Sequence, residues 1–81
     1  MNYYMVTMND GYAPPVRLSD RQQAAELCHQ LGVPFFYEIS PINPMTPLKV
    51  WTLEPGGAGK PFRLSSRRWL DVVQQHDGTM H

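Results

Sequence analysis

Two stretches of the chain gather arginine and hydroxyl side chains: Arg63, Ser65, Ser66, Arg67 and Arg68 in one, and Arg17, Ser19 and Arg21 in the other. They fall in nearly repeated phrases, Arg17-Leu18-Ser19-Asp20-Arg21 and Arg63-Leu64-Ser65-Ser66-Arg67. Each phrase follows a glycine turn and leads into an apolar-periodic run that reads as helix. Guanidinium groups donate in planar, bidentate fashion, and exposed amides at a helix start add further donors, so each phrase has the chemistry to hold a phosphate or a partner's carboxylates. An arginine in the first turn of a helix opposes the dipole at roughly a few tenths of a kcal/mol, which invites a functional reason for Arg21, Arg67 and Arg68. The commoner use of any single arginine is plainer: its stem lies over Trp51, Trp69 or a tyrosine, or its head pairs with Asp20, Glu54 or Asp71.

Other reactive types are poorly spaced for chemistry. Cys28 and His29 are adjacent on a presumed helix and point about 100° apart, so that spacing makes no nucleophile and base pair. Cys28 reads as core. His76-Asp77 near a helix end reads as a dipole contact rather than as a base with its orienting acid. The three histidines and one cysteine show no metal-ligand spacing, and no metal or cofactor is expected. Gly56-Gly57-Ala58-Gly59-Lys60 lacks the length and the trailing Ser or Thr of a phosphate loop, and Pro61 blocks a helix there, so it reads as a hairpin tip.

The chain carries nine aromatic residues in 81, more than so small a core readily hides. Tyr4, Tyr12, Tyr37 and Trp51 are therefore candidates for partner contact, since these types are enriched at interfaces. Ile42 and Met45 in a proline-rich segment add a candidate exposed apolar surface.

The elements that would position these groups follow from pattern. Tyr3 to Met8 reads as a strand, and Asn9-Asp10-Gly11 supplies a tight turn. Pro14 and Pro15 cannot donate to a ladder, so the return around Val16 to Leu18 is predicted to be a short edge strand. Ser19 or Asp20 caps a helix, with Gln22 or Gln23 to complete a capping box, and Ala24, Leu27, Cys28 and Leu31 form its apolar face. Gly32 and Pro34 stop it. Phe35 to Ile39 is the predicted central strand, and Ser40 to Pro47, with three prolines, is a loop. Leu48 to Leu53 is a strand with Val50 and Thr52 on one side and Trp51 and Leu53 on the other, both sides partly covered. A short strand at Pro61 to Leu64 precedes a second helix, capped by Ser65 or Ser66 and running to about Gln75, with Trp69, Val72, Val73 and His76 sharing a face.

The expected fold is thus α+β: an antiparallel sheet of four or five strands with two helices packed on one face, in the order ββαβββα. The repeated phrase admits a duplicated, pseudo-twofold build, although a match of this length recurs too readily by chance to establish one. Eighty-one residues make a single domain over 1–81, with a polar tail at 77–81 expected to fray. A formal net charge of zero gives little long-range attraction to nucleic acid or membrane and favours self-association as a homodimer. One cysteine cannot form an internal disulfide, and no stretch is apolar enough to span a membrane or act as a signal peptide, so a cytoplasmic location is expected.

These features favour a non-enzymatic protein-binding module that occludes or modulates a larger protein or complex. In general style such a chain resembles accessory and inhibitor proteins of phages and plasmids, including those aimed at host nucleases or defence complexes. That likeness rests on size and the lack of a catalytic motif. The alternative is a nucleic-acid-binding module gripping phosphates at the two arginine and serine helix starts, against which the zero net charge weighs.

Overall fold

In the computed structural model the described residues are 1–8 and 12–78, with side chains through Gln74. The expected turn at Asn9-Asp10-Gly11, the His76 and Asp77 side chains and the end of the 77–81 tail lie outside them. The chain runs β1 (Tyr3–Val6), β2 (Val16–Leu18), α1 (Arg21–Leu31), β3 (Phe35–Ile39), β4 (Lys49–Pro55), β5 (Phe62–Arg68) and α2 (Trp69–Gly78). The strands form one sheet in the order β2-β1-β3-β4-β5, every neighbouring pair antiparallel. The α+β class, the five-stranded sheet and the order ββαβββα are as the sequence predicts. Phe35–Ile39 is the central strand, and the proline-preceded β2 is a three-residue edge.

Alternation along the strands sorts the sheet into two faces. Phe36 pairs with Trp51, Val6 with Val16, and Leu53 with Leu64, so these even-faced β3 positions and their partners share the side that meets α1. Ala24, Ala25 and Cys28 of α1 are fully buried there against Val6 and Phe36, with Trp51, Leu53, Phe62 and Leu64 at the margin. Small side chains let the helix approach closely, and Phe36 fills the space they leave. Ala25 is buried as well, whereas Leu31, expected on the inward face, is 42% exposed.

Asp20 is the N-cap of α1: its Oδ1 accepts from the backbone N–H of Gln22 at 2.7 Å and of Gln23 at 3.3 Å. The Gln22 side chain turns to Glu26 at 3.4 Å. Gly32 closes the helix with φ of 73°, a left-handed position that glycine adopts without a steric penalty.

Two placements differ from expectation. β5 does not stop at Leu64 but continues through Arg68, paired residue by residue with β4 from Pro55↔Phe62 to Lys49↔Arg68. The second helix therefore starts at Trp69, and neither Ser65 nor Ser66 caps it. The reason is a partner: β4 is seven residues long and offers a ladder over that whole length. The helices also do not share a face. Trp69 continues the side of β5 that carries Arg63, Ser65 and Arg67, away from α1, and its ring meets Tyr37 edge-on at 6.1 Å. Phe35, Tyr37, Val50 and Thr52 make that second face apolar, and the eleven-residue α1 covers only the first.

Candidate partner-binding surface

The correction at β5 dismantles one expected site. Arg67 and Arg68 are neighbours on a strand, so their side chains leave opposite faces of the sheet and no helix N-terminus lies between them. Arg63 and Ser65, two apart on one face, converge instead on Glu54 of β4. Arg63 Nε donates to Oε2 at 3.1 Å and Ser65 Oγ to Oε1 at 2.9 Å. The hydrogen bond from Ser65, then that from Arg63, holds the Glu54 carboxyl below the usual glutamate range. Arg68 grips Asp71 in a bidentate pair at 3.0 Å for each contact. Those bonds, more than the charges of Arg68 and Arg67, hold Asp71 low, and they raise Arg68. Ser66 lies exposed beside this pair, opposite Trp51 in the ladder.

The first phrase does mark a helix start, but its arginines lie over rings. The Arg17 guanidinium is 3.9 Å from the centroid of Tyr3, and that of Arg21 is 4.5 Å from Trp51. Arg17, Arg21, Arg63 and Arg68 thus each have an intramolecular partner.

Most of the candidate aromatics are likewise turned inward. Trp51 stacks on Phe36 at 6.4 Å and donates its indole N–H to Glu38 Oε1 at 2.9 Å. Asn2 donates to the other oxygen of that carboxylate at 2.7 Å, so the buried Glu38 has a donor on each side. Sequence alone showed no sign of this network, because it needs β1, β3 and β4 in register. Tyr4 packs edge-on against Phe36, and Tyr37 sits between Phe35 and Trp69. Among the four, only Tyr12 is widely exposed, at 94%.

Cys28 is buried, its Sγ 3.6 Å from the Phe35 carbonyl, and burial pushes its thiol up to about 11. His29 points elsewhere, onto Phe62 with ring centroids 5.2 Å apart. Among the described residues no cluster of His, Cys, Asp or Glu could hold a metal ion, and no helix is long and apolar enough to cross a membrane. Gly56–Lys60 forms the tip of the β4–β5 hairpin, as its composition implied. A Cβ on Gly56 would run into the Lys60 carbonyl.

Two surfaces remain after these assignments. One lies where the proline loop meets the start of α2. Ile42 and Met45 are 94% and 90% exposed, and Leu70 is 66% exposed. Asn43, Thr46, Pro47, Leu48, Trp69 and Leu70 line one open hollow there, with Arg68 at its edge. Leu70 is the member that is absent from the candidates read from sequence.

The other is electrostatic. Residues 49–68 hold five cations, Lys49, Lys60, Arg63, Arg67 and Arg68, against the single acid Glu54, leaving +4; the rest of the chain carries −4. Neutrality overall conceals a basic hairpin. A count by element rather than by chain finds it in the sequence.

No family model, curated protein or solved structure matches the chain.

Proposed function

We propose that the protein is a non-enzymatic binding module that docks on a larger protein and occludes or modulates it. The observation that carries this reading is the exposure of apolar side chains in the proline loop, Ile42 and Met45, with Leu48 and Leu70 lining the hollow that other residues of the same loop border. Burying one such side chain fully contributes about 1.5–3 kcal/mol, so leaving several in water together favours association. The loop that presents them is constrained in advance. Pro41, Pro44 and Pro47 limit its backbone, Ser40 Oγ accepts from the Ile42 N–H at 3.2 Å, and Asn43 N–H donates to the Ser40 carbonyl at 3.2 Å. Less ordering entropy is then lost when a partner closes over Ile42 and Met45.

The test compares tagged wild type with the Ile42→Asp, Met45→Asp double variant in capture from host lysate, with circular dichroism to verify the fold. Both side chains are solvent-exposed, so the fold is expected to survive. The expected outcome is one dominant captured protein that the double variant loses; capture undiminished by the double change removes this surface from the function.

The basic hairpin favours a second reading, a nucleic-acid-binding module. It predicts an electrophoretic shift of DNA or RNA at low salt that weakens steeply as salt rises. No shift at low salt would sink it.

A further inference from the structure

β5 is the long edge of the sheet. It pairs with β4 on one side only, spans seven residues without an internal proline, and among the described residues no strand pairs with its outer side. The opposite edge, β2, is three residues long and preceded by Pro14-Pro15. α2 leaves the end of β5 but carries Trp69 and Val72 over the face of β3 and β4, where they border a hollow of about 240 Å³ with Phe35, Tyr37, Val50 and Thr52. The outer main chain of β5 is therefore not roofed by its own helix.

This edge is also the basic part of the molecule. Arg63, paired with Glu54, and Arg67 rise on one face and Arg68, paired with Asp71, on the other; Lys60 just before the strand and Lys49 opposite its end leave cations in excess of acids along this edge. Half-buried Phe62 and Leu64 lie on the α1 side.

We propose that the outer edge of β5 binds an acidic extended segment of the partner protein by strand addition. This rests on the partner-binding reading above and names its mode. Main-chain hydrogen bonds would hold the added strand, and alternation would give it specificity: carboxylates on the face of Arg63 and Arg67, apolar side chains on the face of Phe62 and Leu64. The far end of β5 abuts the apolar hollow through Arg68, so strand and loop surfaces are continuous.

Charge selects this occupant over the others. A second copy pairing antiparallel about Ser65 would set Arg63 against Arg67 of its mate twice, an unfavourable contact of like charges. Single-stranded nucleic acid is bound by aromatic platforms beside cations, whereas Trp51 is half-buried against Phe36, and Tyr4 and Tyr37 are half-buried edge-on to Phe36 and Trp69.

The full-length ¹⁵N-labelled protein would be titrated with a seven-residue peptide alternating Glu and Val, its Lys-Val counterpart, and a Glu-Val peptide N-methylated at alternate residues. The expected result is chemical-shift change centred on Phe62–Arg68, with binding about tenfold or more weaker for the Lys-Val and N-methylated peptides and for Arg67→Glu protein. N-methylation keeps the charge and removes main-chain donors, so its effect separates strand pairing from simple attraction. Equal binding of the Glu-Val and Lys-Val peptides, undiminished binding of the N-methylated peptide, or shifts centred elsewhere would overturn the proposal. So would displacement of the Glu-Val peptide by oligo(dT), in favour of nucleic acid. Peptide failure alongside loop-dependent capture from lysate rejects strand addition and leaves the docking function standing. Peptide binding at β5 with capture indifferent to Ile42 and Met45 does the reverse.

Discussion

Glu54 shows how a single carboxylate can absorb residues that look like a binding site. Arg63 and Ser65 both donate to it, and the hydrogen bond from the hydroxyl is the largest single cause of its lowered pKa, ahead of the hydrogen bond from the guanidinium. A depressed folded-state pKa contributes stability above the ordinary glutamate value of 4.5, and that contribution is lost as pH falls through the lower folded value. We therefore expect the Glu54 side-chain carbon to titrate below 4.5 by NMR, and Ser65→Ala to move its midpoint back toward 4.5. An unmoved midpoint would mean that the hydroxyl is not its principal partner. The group is exposed and salt screens it, so the global stability change is expected to be small. At this scale much was legible: Glu54, Asp71 and aromatic rings stand out as natural partners for the arginines from their types alone. What the residue types left open was which pairing wins, because Arg68 with Asp71 depends on β5 ending where it does.

The repeated Arg-Leu-Ser-x-Arg phrase carries the lesson at the scale of elements. Its first copy ends a three-residue strand and opens a helix at Asp20; its second lies wholly within β5. The copies differ where the first has the capping Asp20 and the second Ser66, and the neighbouring strands differ in length. β1 pairs with β2 over three residues, whereas β4 pairs with β5 over seven. A direct contrast tests this. Asp20→Ala should cost about 1 kcal/mol in urea unfolding through loss of the cap, while Ser66→Ala, at an exposed strand position, should change stability by less than about 0.5 kcal/mol. A cap-sized loss at Ser66 would restore the helix start there. The same extension of β5 delivers Trp69 to the side away from α1. The β1–β2 and β4–β5 pairs then flank β3 on either side.

At the scale of the whole molecule the core is small, built from Val6, Ala24, Ala25, Cys28, Val33 and Phe36. A chain of this length buries only about 60% of its unfolded surface, so each large core residue matters. Phe36 is the largest side chain that is fully buried, and it contacts both Tyr4 and Trp51. Phe36→Ala should cost about 3–5 kcal/mol, a large share of the roughly 4–12 kcal/mol expected for 81 residues. Calorimetry should show a transition lost or shifted down by tens of degrees; a fall of only a few degrees would place the main core elsewhere.

Periodicity, caps and prolines determined the element types, their order, the central place of Phe35–Ile39, the short proline-blocked edge and the burial of Cys28. Each of these depends on residues near in sequence. Tertiary structure alone decided that β5 runs on through Arg68, that α2 turns to the far face, and that Trp51 and Tyr37 are used inside while Leu70 is left outside. Those outcomes turn on strand pairing across the sheet, which satisfies backbone groups over whatever length the neighbour offers and sets side-chain direction by register. The basic edge that results is written in the residues of one hairpin, but its availability to a partner depends on where α2 lies.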